Sequence, residues 1–127
     1  MKSDSPSART VVVLVNAASE EQALLIANAL VSERLAACAN IVSPIRSIYR
    51  WKDEVQNDTE HLMIIKTRAN LVAKLEQRVK QLHSYEVPEV IALPIVAGAK
   101  HYLDWIFEST TATRSVSPTM RKRRRKK

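Results

Sequence analysis

The 127-residue chain has one cysteine, one glycine, one phenylalanine and 5% aromatic residues, and each shortage removes a class of explanation. Cys38 alone cannot close an internal disulfide, and no Cys-x-x-Cys pair exists to build a structural zinc site. A single glycine argues against a glycine-rich phosphate cradle. The longest apolar runs, such as Val11 to Val15, fall far short of the roughly 20 residues that a bilayer-spanning helix needs. Nothing near the start resembles a signal peptide, so no membrane association and a reducing, cytoplasmic compartment are expected. A nucleophile elbow and a His-Glu-x-x-His motif are also missing, and no enzymatic activity is expected.

Basic charge is abundant but unevenly placed. Of 20 Lys and Arg, seven form the block Arg121 to Lys127 (RKRRRKK), which leaves 13 basic against 13 acidic residues in positions 1 to 120. The net charge of +7 therefore belongs to the tail, while the body is neutral. Residues 111–127 are expected to form a disordered basic tail whose 121–127 block makes weak contact with polyanions through counterion release. The runs TVVVLVN and MIIKT lack the aromatics on which sheet proteins stack RNA bases.

The length suits one domain with one core, placed at residues 10–110 after a flexible, Ser-rich segment at 1–9. Thr10 to Asn16 is a β-branched run apolar on both faces, the pattern of a central strand. Ser19 with Gln22 forms a capping-box signal. Ala23, Ile26, Ala27, Leu30 and Val31 then recur at helical spacing, predicting a helix from about Ser19 to Arg34. Leu35 to Trp51 reads as a long strand broken near Ser43-Pro44, because proline cannot donate to a ladder; beyond the break Ser47, Tyr49 and Trp51 share one face. Lys52-Asp53-Glu54 is the expected turn into a strand from Glu60 to Thr67. A helix from about Asn70 to His83 presents Leu71, Leu75, Val79 and Leu82. A strand over Val90 to Val96 carries Pro94, which favours an edge or a bulge. A short helix from Lys100 to Glu108 places Tyr102, Trp105 and Ile106 on one face.

This order predicts an α+β fold, the ferredoxin-like split βαβ sandwich (βαββαβ plus a C-terminal helix) with a long bent hairpin. Helices on one side of a sheet whose first strand is apolar on both sides leave a face for another subunit, so a homo-oligomer is expected.

Chemistry concentrates in the loop His83-Ser84-Tyr85-Glu86-Val87-Pro88-Glu89, where an imidazole, a phenol and two carboxylates share seven residues. Such groups are costly to gather unless they bind something or each other. His83 with Glu89, and Glu86 beside them, offers nitrogen and oxygen donors for copper or another divalent cation. The plain alternatives are a histidine stabilising a helix C-terminus and carboxylates in inter-subunit salt bridges. Tyr49, Trp51, Lys66 and Tyr85 are candidates for a ligand cleft. Aromatics on one face of a hairpin equally pack across an oligomer interface. Cys38, among small residues on a strand, reads as a small buried hydrophobe.

The segments RLAACANI (34–41), SIYRW (47–51), IKT (65–67), His83 to Glu89, IALPI (91–95) and YLDWI (102–106) together resemble the CutA family of divalent-cation tolerance proteins. The resemblance runs collinearly over about residues 10 to 108. It implies a ferredoxin-like homotrimer, similar in architecture to the PII signalling proteins, that is linked to tolerance of copper and other divalent metals. Weak metal binding at inter-subunit sites is expected, with no cofactor required for folding. Two positions depart from the family pattern. Ser84 stands where a proline is usual. Val15 stands where some relatives carry a first-strand cysteine, which removes the soft ligand that favours Cu(I). The alternative function is a PII-like trimer that senses a small molecule and has no physiological metal role.

Overall fold

Strand β1, Thr10–Ala17, is the centre of the sheet, and its burial alternates: Val11, Val13, Val15 and Ala17 are buried while Val12, Leu14 and Asn16 are half-buried. This is the two-residue period of a strand whose faces meet different surroundings. The structure, a computed structural model, describes residues 9–111. The lead-in expected at 1–9 and the tail expected at 111–127 lie outside the described residues, save Arg9 and Thr111.

Helix α1, Glu20–Ser32, is capped by Ser19, whose hydroxyl accepts from Gln22 N–H at 3.1 Å. Only half of the expected capping box forms, because the Gln22 side chain bonds elsewhere. Ala23, Ile26, Ala27 and Leu30 face inward, whereas Val31 turns outward at 40% exposure. Strand β2, Cys38–Trp51, and strand β3, Glu54–Arg68, form the long hairpin. Their turn is the pair Lys52 and Asp53, both at positive φ (50° and 66°), the backbone that a two-residue hairpin loop requires. Strand β3 begins earlier than the apolar run suggests, because the largely polar stretch Val55 to Thr59 pairs with β2 through its backbone.

A single 3₁₀ turn, Ala69–Leu71, leads into helix α2, Val72–Leu82, which buries Leu75 and Val79. Strand β4 is shorter than expected, Ile91–Pro94, and pairs with β1 at the sheet edge. Helix α3, Lys100–Ser109, buries Leu103 and Ile106 and leaves Tyr102 exposed, correcting the expected aromatic face. Cys38 is half-buried beside the Tyr102 hydroxyl at 3.8 Å.

The sheet order is β2-β3-β1-β4 with antiparallel neighbours, the ferredoxin-like arrangement. Helices α1 and α2 cover one face, joining Ile26, Leu30, Leu75 and Val79 to Val13, Val15, Met63 and Ile65 in one core cluster. Each such buried side chain contributes about 1.5–3 kcal/mol. Helix α3 closes the sheet end where β1 begins and β3 ends: Arg68 donates to the Thr110 hydroxyl and carbonyl at 2.9 and 3.0 Å. The opposite sheet face carries Val12, Leu14, Leu62, Ile64, Val42, Ile91 and Leu93, with Val42, Ile91 and Leu93 between 43% and 51% exposed.

Candidate functional site

The site begins with a break in β2. The β2–β3 register shifts between Val42 and Ile45, at the cis Ser43-Pro44 bond, so β2 gains one residue as a bulge. A one-residue shift exchanges the faces of everything that follows. Beyond it Ser47, Tyr49 and Trp51, rather than Arg46, Ile48 and Arg50, share the face of Asp58 and Glu60 of β3, the face turned away from α1 and α2. The same face receives Asn16 from the end of β1.

The loop after α2 is then tied across this end of the sheet. His83 ends the helix, its N–H bonding to the Val79 carbonyl at 2.8 Å. Its Nε2 lies 2.6 Å from the Asn16 carbonyl oxygen, and its Nδ1 accepts from Tyr85 N–H at 3.0 Å. A carbonyl only accepts and an amide N–H only donates, so the proton sits on Nε2 and the ring is neutral. Tyr85 lies 4.6 Å from His83 by ring centroids and sends its hydroxyl to Glu60 Oε2. Asn16 Nδ2 donates to Glu60 Oε1 at 3.2 Å and to Glu89 Oε1 at 3.1 Å. Ser84 Oγ reaches Gln22 Oε1 at 3.2 Å, fastening the loop to α1.

These residues border a cleft of about 780 Å³ lined by Asn16, Tyr49, Trp51, Glu60, Tyr85 and Glu89 among others. Glu60 is only 5% exposed. Its charge and partial burial both raise the Glu89 carboxyl above the usual range, burial being the larger cause. The Tyr49 hydroxyl donates to Asp58 Oδ2 at 2.6 Å, and that bond, ahead of desolvation, pushes its pKa up to about 12. Burial first and the Glu60 bond second push the Tyr85 phenol higher still. The ion pairs among the described residues, Arg78–Glu33, Lys80–Glu76 and Lys100–Asp104, all lie elsewhere. The cleft carboxylates therefore have no basic partner within the described chain.

A family model described as "CutA1 divalent ion tolerance protein" matches residues 11–109. The chain belongs to this CutA1 family. The "Divalent-cation tolerance protein CutA" of Thermus thermophilus is 56% identical over 99 residues, covering 78% of this chain and 96% of that protein. "Protein CutA, chloroplastic" of Arabidopsis thaliana is 46% identical over 110 residues, covering 87% of this chain and 60% of that relative. The solved structure of a divalent cation tolerance protein from Thermus thermophilus superposes with a TM-score of 0.79 at 54% identity, over 80% of this chain and 99% of that one. A structure titled "Periplasmic divalent cation tolerance protein CutA" from Archaeoglobus fulgidus gives 0.78 at 40% identity, over 80% and 99%. Members of the family thus carry names from more than one compartment. No helix among the described residues is long and apolar enough to cross a membrane.

For this CutA-family chain the expected donors are only partly assembled. Glu89 and Glu86 line the cleft, and Tyr49, Trp51 and Tyr85 meet there. Lys66 does not; it bonds Asn40 Oδ1 and stands six positions from Glu60, about 20 Å along β3. His83 sits behind the cleft wall with both ring nitrogens committed to the backbone. Val15 is fully buried in the core, so a thiol at that position faces away from the cleft; its neighbour Asn16 is the residue that faces it. Sequence reasoning missed Asn16, Asp58 and Glu60. The signal for Glu60 was a carboxylate continuing the alternation of Ile64 and Leu62 on an otherwise apolar face. Among the described residues no group of three or more His, Cys, Asp or Glu is placed to hold a metal ion. Glu60 and Glu89 each turn one carboxylate oxygen to Asn16 Nδ2, so two oxygen donors converge on one point of the cleft. The Asn16 amide turns its nitrogen to both carboxylates, and its Oδ1, on the other arm, is buried and accepts no hydrogen bond among the described residues.

Proposed function

We propose that the chain contributes to divalent-metal tolerance, including copper, without enzymatic chemistry and in the cytoplasm. In this reading it acts as a homotrimer that holds the cation weakly at Glu60 and Glu89, with Glu86 at the rim and a further donor from a neighbouring copy. The supporting observation is the 5%-exposed Glu60 carboxylate, linked through Asn16 to Glu89, with no Lys or Arg paired to either among the described residues. A buried carboxylate beside a second, more exposed one is stabilised when a cation or a proton joins the two. Oxygen donors suit Cu(II), Zn or Mn more than Cu(I). His83 serves as a positioning residue that fixes Asn16 and Tyr85 through its two ring nitrogens. The half-exposed apolar set Val42, Ile91 and Leu93 supports an oligomer that covers this face.

Isothermal titration with Cu(II), Zn(II) and Mn(II), alongside light scattering, tests the reading. Glu89→Gln is expected to lose most binding, while His83→Ala retains a measurable fraction. Equal binding by wild type and Glu89→Gln, or a monomer in solution, overturns it. The size of the aromatic cleft favours a second reading, a PII-like sensor of a small organic molecule, since roughly 300–1,000 Å³ is the usual range of such sites. A thermal-shift screen of metabolites that gives no shift counts against it.

A further inference from the structure

The cleft gathers Glu60, Glu86 and Glu89 beside the rings of Tyr49, Trp51 and Tyr85, with Asp58 held at its wall by Tyr49. Glu60 is 5% exposed and has no Lys or Arg paired to it among the described residues. Such a lining fits a guanidinium or ammonium group that can pair with carboxylates while lying against an aromatic face. The same chain carries seven consecutive groups of that kind at Arg121 to Lys127, outside the described residues. We propose that this basic segment docks in the acidic aromatic cleft as a cationic occupant that divalent ions must displace. The inference shares its site with the proposed metal function, and its competitive part rests on that reading.

Reach and charge distribution both favour this occupant. Thr110 is bonded to Arg68, which stands eight positions beyond Glu60 on β3, about 27 Å away. Ten residues lead from Thr111 to Arg121, enough chain to span about 33–36 Å when extended. Positions 1–120 carry equal numbers of acidic and basic residues, so no field from the body as a whole draws the segment to an arbitrary place. Glu33, Glu76 and Asp104 already have basic partners. The cleft offers several carboxylates without such partners among the described residues, together with rings to stack on.

Carbodiimide coupling of the full chain at low salt and without metal reads the contact directly, since it joins a lysine amine to a carboxylate only where the two touch. Peptide mapping is expected to find Lys122, Lys126 or Lys127 joined to Glu86, Glu89 or Asp58 in clear excess over Glu20 and Glu21, with loss of the product at high salt. Mixing ¹⁵N-labelled and unlabelled copies shows whether the segment comes from the same chain or a neighbour. In a second arm, full-length protein with all seven tail residues replaced by Gln is expected to bind Zn(II) severalfold more tightly than wild type. Coupling spread evenly over Glu20, Glu21 and the cleft, or no coupling, overturns the docking. Selective coupling in a protein that binds no metal retains the docking and removes the metal reading. Selective coupling with unchanged Zn(II) affinity overturns the competition.

Discussion

His83 Nε2 donates across 2.6 Å to the backbone carbonyl of Asn16, 67 positions earlier in the chain. This bond fixes the end of β1 against the loop after α2, and it fixes the ring as a neutral tautomer whose Nδ1 accepts from Tyr85 N–H. The histidine that looked most like a ligand is engaged in holding the side chains that line the cleft.

Replacing His83 with Ala removes both bonds and leaves the partly buried Asn16 carbonyl and Tyr85 amide without these partners. The expected loss of stability is about 1–3 kcal/mol, measured by urea denaturation. A change within experimental error shows that water replaces the ring at no cost.

Glu89 has a raised carboxyl pKa caused first by burial and then by Glu60. A group that binds its proton more tightly when folded stabilises the fold below its unfolded value, and that contribution is lost as pH rises through the folded value. Glu89→Gln is therefore expected to gain stability over wild type as pH climbs above the ordinary 4.5. The difference shrinks at lower pH. Thermal melts across acid to neutral pH check the slope.

All three tyrosines, Tyr49, Tyr85 and Tyr102, have phenols held above the ordinary value of 10.0, Tyr49 and Tyr102 at about 12. Ultraviolet titration of the native protein is expected to show no phenolate midpoint near 10, while the urea-unfolded chain shows one. Asp58→Ala removes the bond that raises Tyr49 and is expected to bring one native midpoint down.

Ile26 is fully buried and Leu25 beside it is 54% exposed. Ile26→Ala is expected to cost about 2–5 kcal/mol and Leu25→Ala about 0.5 kcal/mol or less, both read from denaturant midpoints. Comparable costs at the two positions mean that the outer face of α1 is covered in the assembled protein.

Asp53 occupies a left-handed backbone position, φ 66°, in the hairpin turn. Asp53→Gly is expected to stabilise the hairpin by roughly 0.5–1 kcal/mol, because glycine adopts that region without a Cβ clash. An unchanged or lowered urea midpoint shows that the aspartate contributes more than its backbone costs.

Much of the fold could be read along the chain. β-branched runs, the Ser19 cap, the spacing of Leu75 and Val79, and Pro44 inside a strand are local signals, and the elements follow them in order. Where reading fell short, the missing information was long-range. Val55 to Thr59 is largely polar, yet it forms strand because β2 supplies its ladder. Tyr102 shares a helical spacing with Trp105 and Ile106, but the end of the sheet admits Leu103 and Ile106 instead.

The site divides in the same way. By itself the sequence determined the chemical inventory of the loop, with His83, Tyr85, Glu86 and Glu89 in seven residues, and the likeness to a divalent-ion tolerance family. The face on which each strand residue stands depends on register, and the one-residue bulge at Ser43-Pro44 exchanged those faces, setting Tyr49 and Trp51 on the same face as Glu60. Only the tertiary structure brought Asn16, 44 positions from Glu60 and 73 from Glu89, between the two carboxylates. It also turned His83 to the backbone, because hydrogen-bond partners are chosen by proximity in space, which spacing along the chain does not encode.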